Sequence, residues 1–112
     1  MNILFVCSAN KLRSKTADDY FTLKYPNTSF MSAGTNHKTC MKKGTTILEE
    51  WMLEWADKVF VMENRHKSEI VKHTGSQYNK KITILYIPDD YDYYQKELIE
   101  IFESRLDFNE LS

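Results

Sequence analysis

Cys7 and Arg13, separated by five residues near the start of the chain, have the means to do covalent chemistry on a bound anion. They bracket the loop Cys7-Ser8-Ala9-Asn10-Lys11-Leu12-Arg13-Ser14, which lies between an apolar run and a segment of helical period. Small residues at Ser8 and Ala9 let the backbone curl, and Asn10 tolerates the left-handed region better than most side chains. A curled loop that ends at a helix N-terminus turns successive amides inward and makes a nest for phosphate or sulfate. Arg13 adds a guanidinium that can clamp two oxygens of such an anion. A thiol at the lip of that positive cradle is favoured as thiolate, and a thiolate beside bound phosphorus is a nucleophile. Residues Ser8, Ala9, Asn10, Lys11, Leu12, Arg13 and Ser14 are therefore the expected phosphate-binding set. Ser14 by itself also reads as an ordinary N-cap or first-turn residue.

A departing ester oxygen needs a proton, which must come from a carboxylic acid on another segment. Asp89 and Asp90, after Pro88, are the candidates. The competing reading is a turn in which Asp90 or Asp92 caps the last helix. Tyr91, with Tyr93 and Tyr94 beyond it, offers aromatic surface near the acid, and Asn36 and His37 offer an opposite wall. His66 and His73 read as surface residues of a helix. Cys40 reads as chemically idle, or as a distant redox partner of Cys7 if its loop folds over the site.

These residues need a scaffold, and the patterning supplies one. Ile3-Leu4-Phe5-Val6 has the continuous apolar character of a strand buried on both faces. Further strands are expected at Thr28–Ser32, Val59–Met62 and Ile82–Ile87. Helices are expected over Ser14–Lys24 and over Thr45–Trp55, where Ile47, Leu48, Trp51, Met52 and Trp55 follow helical spacing as a core stripe. Two more should run from Asn64, as cap, to near Gly75, and over Tyr94–Phe108. Strands alternating with helices imply a parallel sheet covered on both faces, with right-handed crossovers. In such a sheet the binding crevice lies beyond the carboxyl ends of the strands, so the segments to read are 7–13, 32–40, 63–66 and 88–93.

With 112 residues, the length suits one domain over residues 1–112, and 42% apolar residues argue against a disordered chain. A net charge of −1 leaves no basic footprint for nucleic acid. No apolar run reaches membrane-spanning length. Met1 leads directly into a strand without a basic n-region, which makes the cytoplasm the expected location. Two cysteines make neither a disulfide framework nor a zinc site. No metal or cofactor is expected, because the nest and Arg13 supply the positive charge that a cation would otherwise bring.

Val6 through Ser14 resembles the phosphate-binding loop of the low-molecular-weight protein tyrosine phosphatases. Ser32-Ala33-Gly34-Thr35 is similar to the segment after that family's second strand. Trp55 through Met62 resembles its third strand, and Ile87-Pro88-Asp89-Asp90-Tyr91 resembles its general-acid loop. The resemblance runs in order along nearly the whole chain. It implies a three-layer α/β fold with a four-stranded parallel sheet in the order 2-1-3-4. It also implies hydrolysis of phosphotyrosine or aryl phosphate through a cysteinyl-phosphate, with Cys7 as nucleophile, Arg13 as stabiliser and Asp89 as acid. On the same ground Ser14 would donate to the Cys7 sulfur, Asn10 and Ser32 would hold the loop's shape, and Tyr91 would stack on the substrate ring. Four positions depart from the pattern. Ala9 stands for a glycine, Leu12 for a second cysteine, Lys15 for a proline after Ser14, and Asp90 for the proline after the acid. The rival readings are a non-catalytic phosphate-binding module and a thiol-dependent arsenate reductase, the latter short of cysteines.

Overall fold

The computed structural model describes residues 1–108; the last four residues of the expected 1–112 domain lie outside the described residues. Four strands, β1 (Asn2–Cys7), β2 (Ser29–Gly34), β3 (Lys58–Val61) and β4 (Ile82–Ile84), form one sheet in the order β2-β1-β3-β4. All three pairings are parallel. The helices are α1 (Arg13–Lys24), α2 (His37–Lys43), α3 (Glu50–Trp55), α4 (Asn64–Thr74) and α5 (Lys96–Arg105), with a 3-10 turn at Asn79–Lys81. The expected architecture and strand order are both present.

The alternation of β1 divides the interior in two. Ile3, Phe5 and Cys7 face α1 and α5, in a core rich in rings: Phe5, Phe21, Phe60, Phe102 and Phe108. Leu4 and Val6 face α3 and α4, where Met52, Leu53, Val59, Val61 and Ile70 complete an aliphatic layer. Because β1 is central and buried on both faces, its carboxyl end is held rigidly from either side, and that end carries Cys7.

Several elements differ from expectation, each for a local reason. The helix expected over Thr45–Trp55 begins only at Glu50. Thr45-Thr46-Ile47 is β-branched and extended instead: the Gly34 amide donates to the Thr46 carbonyl and the Leu48 amide to the Gly34 carbonyl, both at 2.9 Å. The core stripe shifts accordingly to Met52, Leu53 and Ala56, while Trp51 is 49% exposed and Trp55 is only partly buried. Helix α2, inside a segment expected to be loop, escapes periodicity because Cys40 is its sole buried residue. Its cap signals are nevertheless plain in the sequence: the Asn36 side chain accepts from the Thr39 amide at 3.0 Å, and Gly44 closes the helix with φ 69°. Helix α4 is capped by Glu63, not Asn64, in a reciprocal capping box with His66. Strand β4 stops at Ile84 because Tyr86 takes a left-handed φ of 57°. The chain nevertheless stays beside β3, with Leu85 and Ile87 donating to the Val61 and Met62 carbonyls. Helix α5 starts at Lys96, after Tyr94 with φ 60°, and neither Asp90 nor Asp92 caps it.

Candidate active site

The β1–α1 loop is shaped by what happens to its carbonyls. The Cys7 oxygen accepts from the Thr35 amide and the Ser8 oxygen from the Asn36 amide, both at 2.9 Å. The Ala9 oxygen accepts from the Thr45 hydroxyl at 2.5 Å. With these oxygens turned toward β2 and its following segment, the amides of Ser8 through Leu12 donate to no backbone or side-chain acceptor among the described residues. The first turn of α1, which has no side-chain cap, follows directly, and amides left without a protein acceptor in this way suit an anion.

Asn10 takes φ 51°, the left-handed conformation expected of it, and Ala9 has no positive φ, so the missing glycine costs nothing there. Gly34 explains why β2 must carry a glycine at this point. A Cβ on it would lie 2.5 Å from both the Ser8 carbonyl oxygen and the Cys40 sulfur. Cys40 is fully buried behind the loop, its thiol 3.7 Å from the Ser8 oxygen. It forms no disulfide with Cys7.

Cys7 and Ser14 approach within 2.9 Å, and the Ser14 hydroxyl lies 2.9 Å from the Asn10 side-chain oxygen. One hydroxyl proton serves one acceptor at a time. A thiolate at Cys7 accepts a hydrogen bond from that hydroxyl, in place of the Asn10 oxygen. Ser14 and Asn10 are both buried. Ser32 is not part of this chain of contacts: its hydroxyl donates to Asp18 of α1 at 2.7 Å, so it braces the helix rather than the loop.

Arg13 is only 2% exposed, and its Nη1 is anchored twice, to Glu63 at 2.5 Å and to the Ile87 carbonyl at 2.8 Å. Its Nε lies 3.7 Å from Asp89, whose side chain is 54% exposed. Glu63 also accepts from Arg65 at 2.9 Å. Burial pushes the Glu63 carboxyl up, but the hydrogen bonds and charges of Arg13 and Arg65 outweigh it and hold the group below its ordinary range.

A cavity of about 340 Å3 brings these residues together. It is lined by Cys7, Ser8, Ala9, Lys11, Leu12 and Arg13 from the loop, by Asp89 from beyond β4, and by Thr39, Lys43 and Arg65. The expected walls Tyr91, Asn36 and His37 lie elsewhere. Tyr91 packs against the ring-rich core. Asn36 caps α2, and both Asn36 and His37 line a neighbouring groove. Helix α2, unseen in the periodicity, is what puts Thr39 and Lys43 in their place.

His66 was expected at the surface and is 1% exposed. It had no sequence signal beyond its position three residues after Glu63, which is the capping-box spacing. Its Nδ1 accepts from the Glu63 amide at 3.0 Å, and its Nε2 lies 3.0 Å from the Ser8 hydroxyl oxygen. Burial, reinforced by Arg13 and Arg65, pushes its pKa down to about 4, so the ring is neutral near pH 7. His73 is exposed, as expected.

No protein-family model and no curated protein matches this chain. Solved structures do. SP-PTP, a low molecular weight protein tyrosine phosphatase from Streptococcus pyogenes, superposes with a TM-score of 0.71 at 14% identity, covering 98% of this chain and 96% of its own. A YwlE arginine phosphatase mutant with a phosphorylated active-site serine gives 0.70 at 23% identity, covering 94% and 93%. A low molecular weight protein tyrosine phosphatase from Bacillus subtilis gives 0.58 at 27% identity, covering 76% and 70%. Strand order, loop placement and these superpositions agree: by its fold the chain groups with the low molecular weight protein tyrosine phosphatases.

Proposed function

We propose that the chain is a cysteine-dependent phosphatase acting on phosphotyrosine or related aryl phosphates. The observation that carries this reading is the one cavity that Cys7, the loop residues Ser8, Ala9, Lys11 and Leu12, an anchored Arg13 and Asp89 line together. In the first step the Cys7 thiolate attacks phosphorus, the S–P bond forms, and the P–O bond breaks as Asp89 gives its proton to the leaving oxygen. The loop amides and Arg13 stabilise the equatorial oxygens throughout. In the second step Asp89, now a carboxylate, takes a proton from water as that water attacks phosphorus. The P–S bond breaks, and inorganic phosphate and the thiolate are released.

Arginine phosphate is the second reading, favoured by the likeness to the YwlE structure. The lining argues for the aryl ester. Lys11, Arg13, Lys43 and Arg65 face one another around the cavity with Asp89 as the sole acid in its lining. A guanidinium leaving group would meet like charge there, whereas a phenolic one would not. Side by side, a phosphotyrosine peptide and a phosphoarginine peptide of the same sequence decide between them, with chelator present. Faster release of phosphate from tyrosine is expected, and preference for arginine reverses the assignment. In the same assay Cys7→Ser should lower turnover by at least about 10,000-fold. Turnover retained in that variant sinks the covalent route.

A further inference from the structure

The cradle is gripped at its two ends by one structural unit. Glu63, the N-cap of α4, holds Arg13 at the end of the loop through its carboxylate. His66, three residues on in the same capping box, meets Ser8 at the start of the loop. The contacts span fifty and fifty-eight positions in the chain, yet the two side chains of a single capping box touch both ends of the loop.

The hydrogen-bond directions across His66 are fixed by its partners. The Glu63 amide is a donor and can only give its proton, so Nδ1 must be the bare nitrogen. The hydrogen of the neutral ring is then on Nε2 and is donated to the Ser8 oxygen. With that lone pair occupied, the Ser8 hydroxyl is oriented as a donor, and Ser8 lines the cavity. A hydroxyl without such a neighbour would be free to turn its oxygen toward the anion, which repels it.

We infer that His66 is a positioning residue that orients the Ser8 hydroxyl as a donor to the bound phosphoryl group. This rests on the phosphatase reading for its catalytic consequence, but not for its effect on anion binding. Cap and positioning roles separate cleanly, because they use different ring nitrogens. An asparagine at 66 places its carbonyl oxygen near the Nδ1 position and keeps the cap. A glutamine reaches the Nε2 position with its NH2 and keeps the donor to Ser8.

The test is titration calorimetry with inorganic phosphate, alongside kcat and KM on p-nitrophenyl phosphate and a urea midpoint for each variant. His66→Asn should keep most of its stability yet bind phosphate about tenfold more weakly. His66→Gln should lose stability and bind phosphate within about twofold of the native chain. In a Ser8→Ala background, His66→Asn should add no further loss of affinity. If affinity follows stability across the variants, or if His66→Asn and Ser8→Ala weaken binding additively, the inference is overturned. A native chain that binds phosphate but hydrolyses no ester would refute the phosphatase reading and leave this one standing. A native chain that binds no phosphate overturns both.

Discussion

The segment between β1 and α1 and the segment between β4 and α5 meet at one cavity and are built on opposite terms. In the first, the carbonyls of Cys7 and Ser8 are tied to the β2–α2 connection and that of Ala9 to Thr45 beyond α2, and Asn10, Arg13 and Ser14 are buried. In the second, Asp89 and Asp90 are exposed, and the backbone passes through left-handed residues at Tyr86 and Tyr94. The difference follows from what each must do. A site for a dianion works by presenting dipoles that need no rearrangement when charge develops. A proton donor that later becomes a base must instead reach a leaving oxygen first and a water afterwards, and solvent access serves it. On the phosphatase reading, burial and fixed hydrogen bonds are concentrated where the anion would sit, and solvent exposure where the proton would travel.

That contrast is open to direct attack. The largest expected effect is on stability against pH, and it belongs to the cradle side. His66 is held neutral down to about pH 4 when folded, while the same ring in an unfolded chain takes a proton near 6.5. The folded state thus binds fewer protons in that window. Its stability is fully present above pH 6.5 and falls by about 3 kcal/mol as pH drops to 4. Urea midpoints at pH 7, 5.5 and 4 should show this slope in the native chain and lose it in His66→Gln. Glu63, held below its ordinary range, adds its loss only at still lower pH, below about 4.5.

Next in size is the acid. Asp89→Asn should lower kcat on phenyl phosphate by about a hundredfold and less on p-nitrophenyl phosphate, whose leaving oxygen needs little help. Its melting temperature should stay within a degree or two of the native chain, since the side chain is exposed. Asp90→Asn should change kcat only a few-fold, and a larger effect there than at Asp89 would move the acid by one residue. Smaller than the loss at Asp89 is the effect of Gly34→Ala, which pushes a methyl group against the Ser8 carbonyl and Cys40. A loss of about 2 kcal/mol in unfolding free energy, read as a lower urea midpoint, is expected together with weaker phosphate binding. An unchanged midpoint would show that the loop gives way more easily than its hydrogen bonds imply.

The sequence was most informative where a single residue type admits one use. The buried run at residues 3–6, the C-x5-R spacing and Asn10 in the left-handed region could all be read from the chain, and all stand where expected. Periodicity misled at Thr45–Glu49, because a strand-like stretch happened to carry apolar residues at helical intervals. There the hydrogen bonds of Gly34, remote in sequence, settled the matter. It was silent on α2, which buries one residue, and on His66, whose burial depends on a partner fifty-eight positions away. Cavity walls were the least legible part. Thr39, Lys43 and Arg65 acquire their role only from how α2 and α4 come to rest beside the loop.

One contact gives the two segments a common measure. The carbonyl of Ile87 is fastened to Arg13, two residues before Asp89. On the phosphatase reading, the place from which the proton would be delivered is thereby gauged against the cation that would grip the phosphoryl oxygens, and not against the distant body of the sheet. Any slippage of the chain after β4 would then loosen the grip and misdirect the proton in the same movement.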